Sequence, residues 1–105
     1  MSQVTINIGK QYTRFPIGRK RAFGNQSGEG FREDVLEPAL REQPNSIRIE
    51  FDDALGFGSS FLEEAFGGLV RAGHDPKTLL NVFDFISEDP SLVEEVRSYI
   101  ANAAR

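Results

Sequence analysis

The sequence has no cysteine. That excludes a disulfide framework, a thiolate metal site and a cysteine nucleophile, and it suits a chain expected to work in the cytoplasm. Long apolar runs are missing too, so no segment is predicted to span a membrane. The start, Met1-Ser2-Gln3-Val4-Thr5, lacks the charged-then-apolar order of a secretory signal, and none is expected. Histidine occurs once, at His74. Acids are absent from residues 1–28, which hold Lys10, Arg14, Arg19, Lys20 and Arg21; all sixteen acids lie beyond and bring the net charge to −4. A basic arm on an acidic body contacts nucleic acid or a partner, stays solvated as a loop, or pairs with the acids of its own fold.

At 105 residues, 39% hydrophobic and 27% charged, the chain has the size and balance of one globular domain over residues 1–105. Such a domain buries a single core without metal or disulfide staples. Val4, Ile6 and Ile8 alternate with Thr5 and Asn7 and predict a strand with one face inward. Residues 10–30 are basic and rich in glycine (Gly18, Gly24, Gly28, Gly30) and read as a loop, with a short second strand expected near residues 13–16. Phe31, Val35, Leu36, Ala39 and Leu40 fall on one face of a helix that starts near Ser27 or Gly28. Pro38 inside it predicts a kink or an early end.

Further on, Ile47, Ile49 and Phe51 alternate with Arg48, Glu50 and Asp52, the pattern of a strand. Phe61, Leu62, Ala65, Phe66, Leu69 and Val70 form the buried stripe of a second helix, with Gly73 expected as its left-handed cap. Residues 79–86 are apolar on both alternations apart from Asn81 and Asp84 and read as a buried strand. Asp89-Pro90 supplies an N-cap and a first helical residue. Leu92, Val93, Val96, Tyr99, Ile100 and Ala103 make the stripe of the last helix. The order is β-(β)-α-β-α-β-α. Residues 47–86 form a strand–helix–strand unit, which implies parallel strands with a right-handed crossover. Two strands carry one polar face. The expected fold class is therefore α/β: a single small two-layer sandwich with a mixed sheet and helices mainly on one face.

The stretch most suited to function runs from Ile47 to Leu69, where a strand ends in Asp52 and Asp53 and a Gly56-Phe57-Gly58-Ser59-Ser60 turn enters a helix. In α/β sheets, ligands and partners meet the fold beyond the carboxyl ends of the strands. Ser60-Phe61-Leu62-Glu63 matches a capping box, in which Ser60 caps the Glu63 N–H and Glu63 reaches back. Ser59 is then not needed as a cap. A phosphate on it would sit at the positive end of the helix dipole, opposed by Asp52 and Asp53. Asp53, Gly56, Phe57, Gly58, Ser59 and Ser60 are the candidate interaction surface, and Ser59 is the candidate phosphorylation site.

This stretch resembles the bacterial STAS-like family of unknown function, whose members resemble the STAS fold of anti-sigma-factor antagonists. The resemblance rests on Arg32, Pro38-Ala39-Leu40, Phe51-Asp52, Gly58-Ser59-Ser60-Phe61, Glu64, Leu69 and Phe85-Ile86-Ser87-Glu88-Asp89-Pro90, across about residues 20–100. It implies a STAS-like sandwich that regulates by protein–protein contact rather than by catalysis. In anti-sigma antagonists an Asp-Ser-Ser-Gly motif at this helix start holds a serine that a histidine-kinase-like ATPase phosphorylates, releasing the partner. Ser59 matches the first serine of that motif, whereas Gly58 stands for the aspartate and Phe61 for the glycine. The resemblance thus implies an anti-sigma-type kinase as the protein partner.

Other chemistries fit less well. A Ser-His-Asp triad needs serine and imidazole within hydrogen-bond reach. His74 lies fourteen residues beyond Ser60, about 20 Å along a helix, and is expected to be a turn residue. Gly56-Phe57-Gly58 opens like a dinucleotide loop, but Phe61 occupies the place of its third glycine. Asp52, Asp53 and Asp84 together suit Mg²⁺, yet Asp84 falls mid-strand and ordinary strand-end acids are the simpler reading. No metal or cofactor is expected. Gly67-Gly68 costs a helix about 1 kcal/mol per glycine and implies close packing there or a subunit contact. The alternative function is nucleic-acid binding, with Lys10, Arg14, Arg19, Lys20 and Arg21 on phosphates and Tyr12, Phe15 and Phe23 stacking on bases.

Overall fold

The computed structural model describes residues 2–24 and 26–103, without the Phe23 side chain. Three strands follow from period-two alternation: β1 (Gln3–Asn7), β2 (Ser46–Glu50) and β3 (Phe83–Ile86). They pair in the order β1-β2-β3, and both pairings are parallel. The register sets Val4 opposite Ile47 and Ile6 opposite Ile49, then Ile47 opposite Phe83 and Ile49 opposite Phe85. These six side chains share one face. On the other face Thr5, Arg48 and Asp84 form a polar row. The apolar face packs beneath the helices and the polar face is left open, which makes a two-layer sandwich.

The sheet is not mixed. Every connection between consecutive strands contains a helix, so each strand re-enters in the same direction. The short strand expected near residues 13–16 is a loop. Thr13 turns it locally by accepting from the Phe15 N–H (3.1 Å). The Arg14 and Pro16 carbonyls then accept from Leu55 (2.8 Å) and Gly58 (3.0 Å), outside the sheet ladder. Ile8, expected in the first strand, instead opens a single turn, α1 (Ile8–Gln11), which Asn7 caps by accepting from Lys10 N–H (3.0 Å).

Helix α2 spans residues 28–41, with Ser27 as N-cap to Gly30 N–H (3.0 Å). It runs through Pro38 instead of ending there. Its middle turn, Arg32–Leu36, is π-helical, and the Glu37 N–H reaches back to the Arg32 carbonyl. The ladder slips by one residue just before the proline, which takes up the bond proline cannot make. Helix α3 spans residues 59–71 and also widens, over Glu63–Gly67. Gly73, at φ +115°, follows its end in the left-handed region, as the sequence predicts.

Residues 79–86 are not one strand. They divide between helix α4 (Pro76–Val82) and β3. Asp75 caps α4 through the Thr78 N–H (3.1 Å) and Pro76 occupies its first position, a start signal that outweighs an apolar run with no clear period. Helix α5 (Pro90–Asn102) begins at Asp89, which accepts from Ser91 N–H (3.0 Å), and buries Val96 and Ile100.

The helices close on one another through glycine. A Cβ on Gly28 would stand 2.4 Å from the Phe61 carbonyl oxygen of α3. Backbone cannot rotate away as a side chain can, so Gly28→Ala is expected to force α2 from α3 and lower stability by about 2–3 kcal/mol; urea unfolding checks it. Gly67 and Gly68 serve the same end, since a Cβ would meet Glu63 and the Tyr99 carbonyl at the first and the Arg32 guanidinium at the second. Among the described residues no helix is long and apolar enough to cross a membrane.

Candidate functional site

The loop from β2 to α3 is held at several points. Phe51 is buried and packs edge-on against the ring of Phe57 (centroids 5.3 Å apart). Asp52 accepts from the Ser87 hydroxyl (2.8 Å) and the Glu88 N–H (2.9 Å), which ties the end of β2 to the loop after β3. Asp53 accepts from Asn7 Nδ2 (2.6 Å) and faces Lys10 at 3.9 Å. Asp84 sits apart, on the open face of the sheet beside Arg48 in register. The three acids therefore do not gather, and no metal-ligating cluster exists among the described residues.

At the helix start the N-cap is Gly58, in an extended conformation and without a side-chain cap. Ser59 is the first helical residue and Ser60 the second. The capping box expected between Ser60 and Glu63 does not form. The helix begins too early for Ser60 to cap it, and the Glu63 carboxylate turns to Arg19 and to Arg71 (2.6 and 3.0 Å). Both serines are exposed. The Tyr99 hydroxyl, near that of Ser59, donates to Glu95 Oε2 at 2.6 Å. The Tyr99 pKa is raised, first by the Glu95 bond and then by burial, with Ser59 acting against both.

Phe15, Ile17 and Leu55 are the large hydrophobic side chains left exposed among the described residues, at 63, 65 and 64%. The loops that carry them meet here. The backbone bonds from Leu55 to Arg14 and from Gly58 to Pro16 lay the two loops side by side. Ile17 packs on Gly58, directly before the serines: its Cγ2 would lie 3.3 Å from a Cβ there. Phe15 and Ile17 were not part of the interaction surface expected from sequence. Their signal is modest: two large apolar residues flanking Pro16 inside a polar, glycine-rich stretch.

Residues 27–92 match the family model described as a STAS-like domain of unknown function (DUF4325). The chain belongs to this STAS-like family. The match opens at the N-cap of α2 and closes in the first turn of α5, so it includes Leu55, Ser59 and Ser60 but not Phe15 or Ile17. A search of curated proteins and one of solved structures returned no match.

In this STAS-like domain the basic arm folds onto the acidic body. The first N–H groups of α2 donate to the Gly18 and Arg19 carbonyls (both 2.9 Å), which seats the arm on that helix. Arg21 pairs with Glu33 (3.0 Å) and Asp34 (2.9 Å). Buried Glu64 takes Arg32 (3.0 Å) and Lys20 (3.5 Å) on one oxygen, Arg19 (3.3 Å) and Arg71 (3.6 Å) on the other. Burial pushes its pKa up, but the bonds from Arg32, Lys20 and Arg19 outweigh that and hold it below the usual range. Glu63 is also held low, chiefly by Arg71.

Of the five bases offered to nucleic acid, Lys10, Arg19, Lys20 and Arg21 thus face acids of the same chain. Arg14 has no such partner among the described residues. Tyr12 is half-buried against Phe31 (centroids 5.1 Å) and donates to the Ser27 carbonyl (3.0 Å). The Phe23 side chain lies outside the described residues. His74 occupies the turn after α3, with Nε2 2.8 Å from Glu37.

Proposed function

We propose that this STAS-like domain is a non-enzymatic cytoplasmic regulator that binds a protein partner through the start of α3, and that phosphorylation of Ser59 changes the affinity. The observation that carries the reading is that the exposed Phe15, Ile17 and Leu55 stand on two loops bonded side by side, directly before Ser59 and Ser60. A folded domain that leaves its large exposed hydrophobics on adjoining loops has a surface suited to a partner.

The serines add a control to that surface. The N–H groups of the first helical turn have no intrahelical acceptors, and the helix dipole favours negative charge there. A phosphate brings about two negative charges. It stands close to the Tyr99 hydroxyl and to Glu95, which that hydroxyl bonds, so it changes both the charge and the packing of the surface. A kinase of the histidine-kinase-like ATPase or anti-sigma type is the partner that supplies it.

Trypsin releases residues 49–71 as one peptide, in which Ser59 and Ser60 are the only hydroxyl residues. Capture of the protein from its native cells followed by mass spectrometry is expected to find a phosphate on that peptide and a kinase-type ATPase alongside. Ser59→Ala and Ser59→Asp are expected to differ at least fivefold in affinity for the captured partner, read by calorimetry. Equal affinities would end the switch.

A further inference from the structure

Leu55 lines a cleft beyond the carboxyl ends of β2 and β3, between the loop that enters α3 and the first turns of α5. Its volume is about 340 Å³, low in the range of ligand clefts, roughly 300–1,000 Å³. Leu55, Phe57 and Leu92 give it apolar walls, and Asp52, Asp89 and Glu95 complete the lining. Neither segment that builds it, residues 51–57 or 87–95, contains a base. The three carboxylates bond only neutral donors: Asp52 those of Ser87 and Glu88, Asp89 the Ser91 N–H and hydroxyl, Glu95 the Tyr99 hydroxyl. Such bonds leave the negative charges in place. Among the described residues no base pairs with any of the three, whereas Asp53, Glu63 and Glu64 all face cations of this chain. Unbalanced negative charge thus borders an apolar cleft that holds one of the most exposed hydrophobic side chains.

We infer that this cleft takes an arginine or lysine of the protein partner, set beside an apolar side chain that covers Leu55. A bare metal ion does not suit it: among the described residues no three acidic or imidazole groups stand where they could hold one. Carboxylates spread over apolar walls suit a cation that brings its own carbon stem, which lies along Phe57 and Leu92 while the charged end meets the acids. This rests on the docking reading above and adds the chemistry of the partner. Phe15 and Ile17 line a different cavity, so the two parts of the surface can be tested apart.

The test selects a displayed library of random peptides against the intact protein and screens the binders on Leu55→Ser, Phe15→Ser, Glu42→Gln and the pair Asp89→Asn, Glu95→Gln. Asparagine still caps α5 and glutamine still accepts from Tyr99, so the pair removes charge and keeps the bonds. Glu42 is exposed and precedes β2, at the opposite end of the sheet from the cleft, and controls for charge in general. Circular dichroism confirms that each variant folds. Binders that need Leu55 are expected to carry Arg or Lys next to Leu, Ile or Phe. They are expected to lose roughly fivefold or more on the paired variant, to keep their affinity on Glu42→Gln and to weaken with salt. Leu55-dependent binders that are acidic or uncharged, or that lose no more on the pair than on Glu42→Gln, overturn the inference and leave the docking reading standing. Binders that need Phe15 but never Leu55 do the same. A library in which no binder needs either residue overturns both.

Discussion

Phe66→Ala is expected to cost about 3–5 kcal/mol, a large part of the stability of a domain this size. Phe66 is fully buried in α3, and four other rings surround it. Phe31 lies at 6.3 Å, Phe51 at 6.4 Å, and Phe83 and Phe85 both at 5.7 Å, the last two edge-on. These rings belong to α2, to the residue after β2 and to β3, so one side chain joins both layers. The four neighbours are anchored at three separate places in the fold and cannot all move in, so a cavity remains and its cost adds to the lost transfer energy. Phe66→Leu keeps most of the volume and should lose about half as much. Urea unfolding of both variants checks the pair.

The second large effect is expected at Glu64. It is 4% exposed and Arg32 beside it nearly as enclosed, and breaking such a pair from one side leaves a charge without its partner. Arg19, Lys20 and Arg71 are more than a third accessible, so water screens their share. Glu64→Leu is therefore expected to lose about 2–3 kcal/mol, with the Arg32→Met, Glu64→Leu pair recovering most of it. A double-mutant cycle in urea reads the coupling.

The same carboxylates set an acid limit. The folded-state pKa values of Glu63 and Glu64 lie below the ordinary 4.5, so their contribution is fully present above that value. It falls away as pH drops through the lowered values. The urea midpoint should hold level on the neutral side and fall below about pH 4.5, with a smaller fall in Glu64→Leu.

Legibility followed the strength of local pattern. The stripe from Phe61 to Val70 has one helical face and packs as predicted. Asp89-Pro90 starts its helix where the cap chemistry places it. Residues 79–86 offered apolar side chains on every face, and period cannot separate helix from strand there. Asp75-Pro76 was the same kind of start signal as Asp89-Pro90, and it assigned the first half to α4. Ser60-Phe61-Leu62-Glu63 has the capping-box spacing, but Arg19 and Arg71 draw Glu63 elsewhere. Arg19 is 44 residues away along the chain.

What the sequence determined by itself was therefore local: the α/β class, the inward faces of β1 and β2, the helix stripes, the family, and the serines at a helix start. Side-chain period and cap chemistry act over a few residues, so a short window carries them. The tertiary structure decided what depends on distant segments meeting. It made the sheet parallel throughout, turned the basic arm onto Glu63 and Glu64, and brought Phe15 and Ile17 beside Leu55. Those outcomes depend on loops that meet across about forty residues, where backbone bonds such as Leu55 to Arg14 fix the geometry and no local pattern records it.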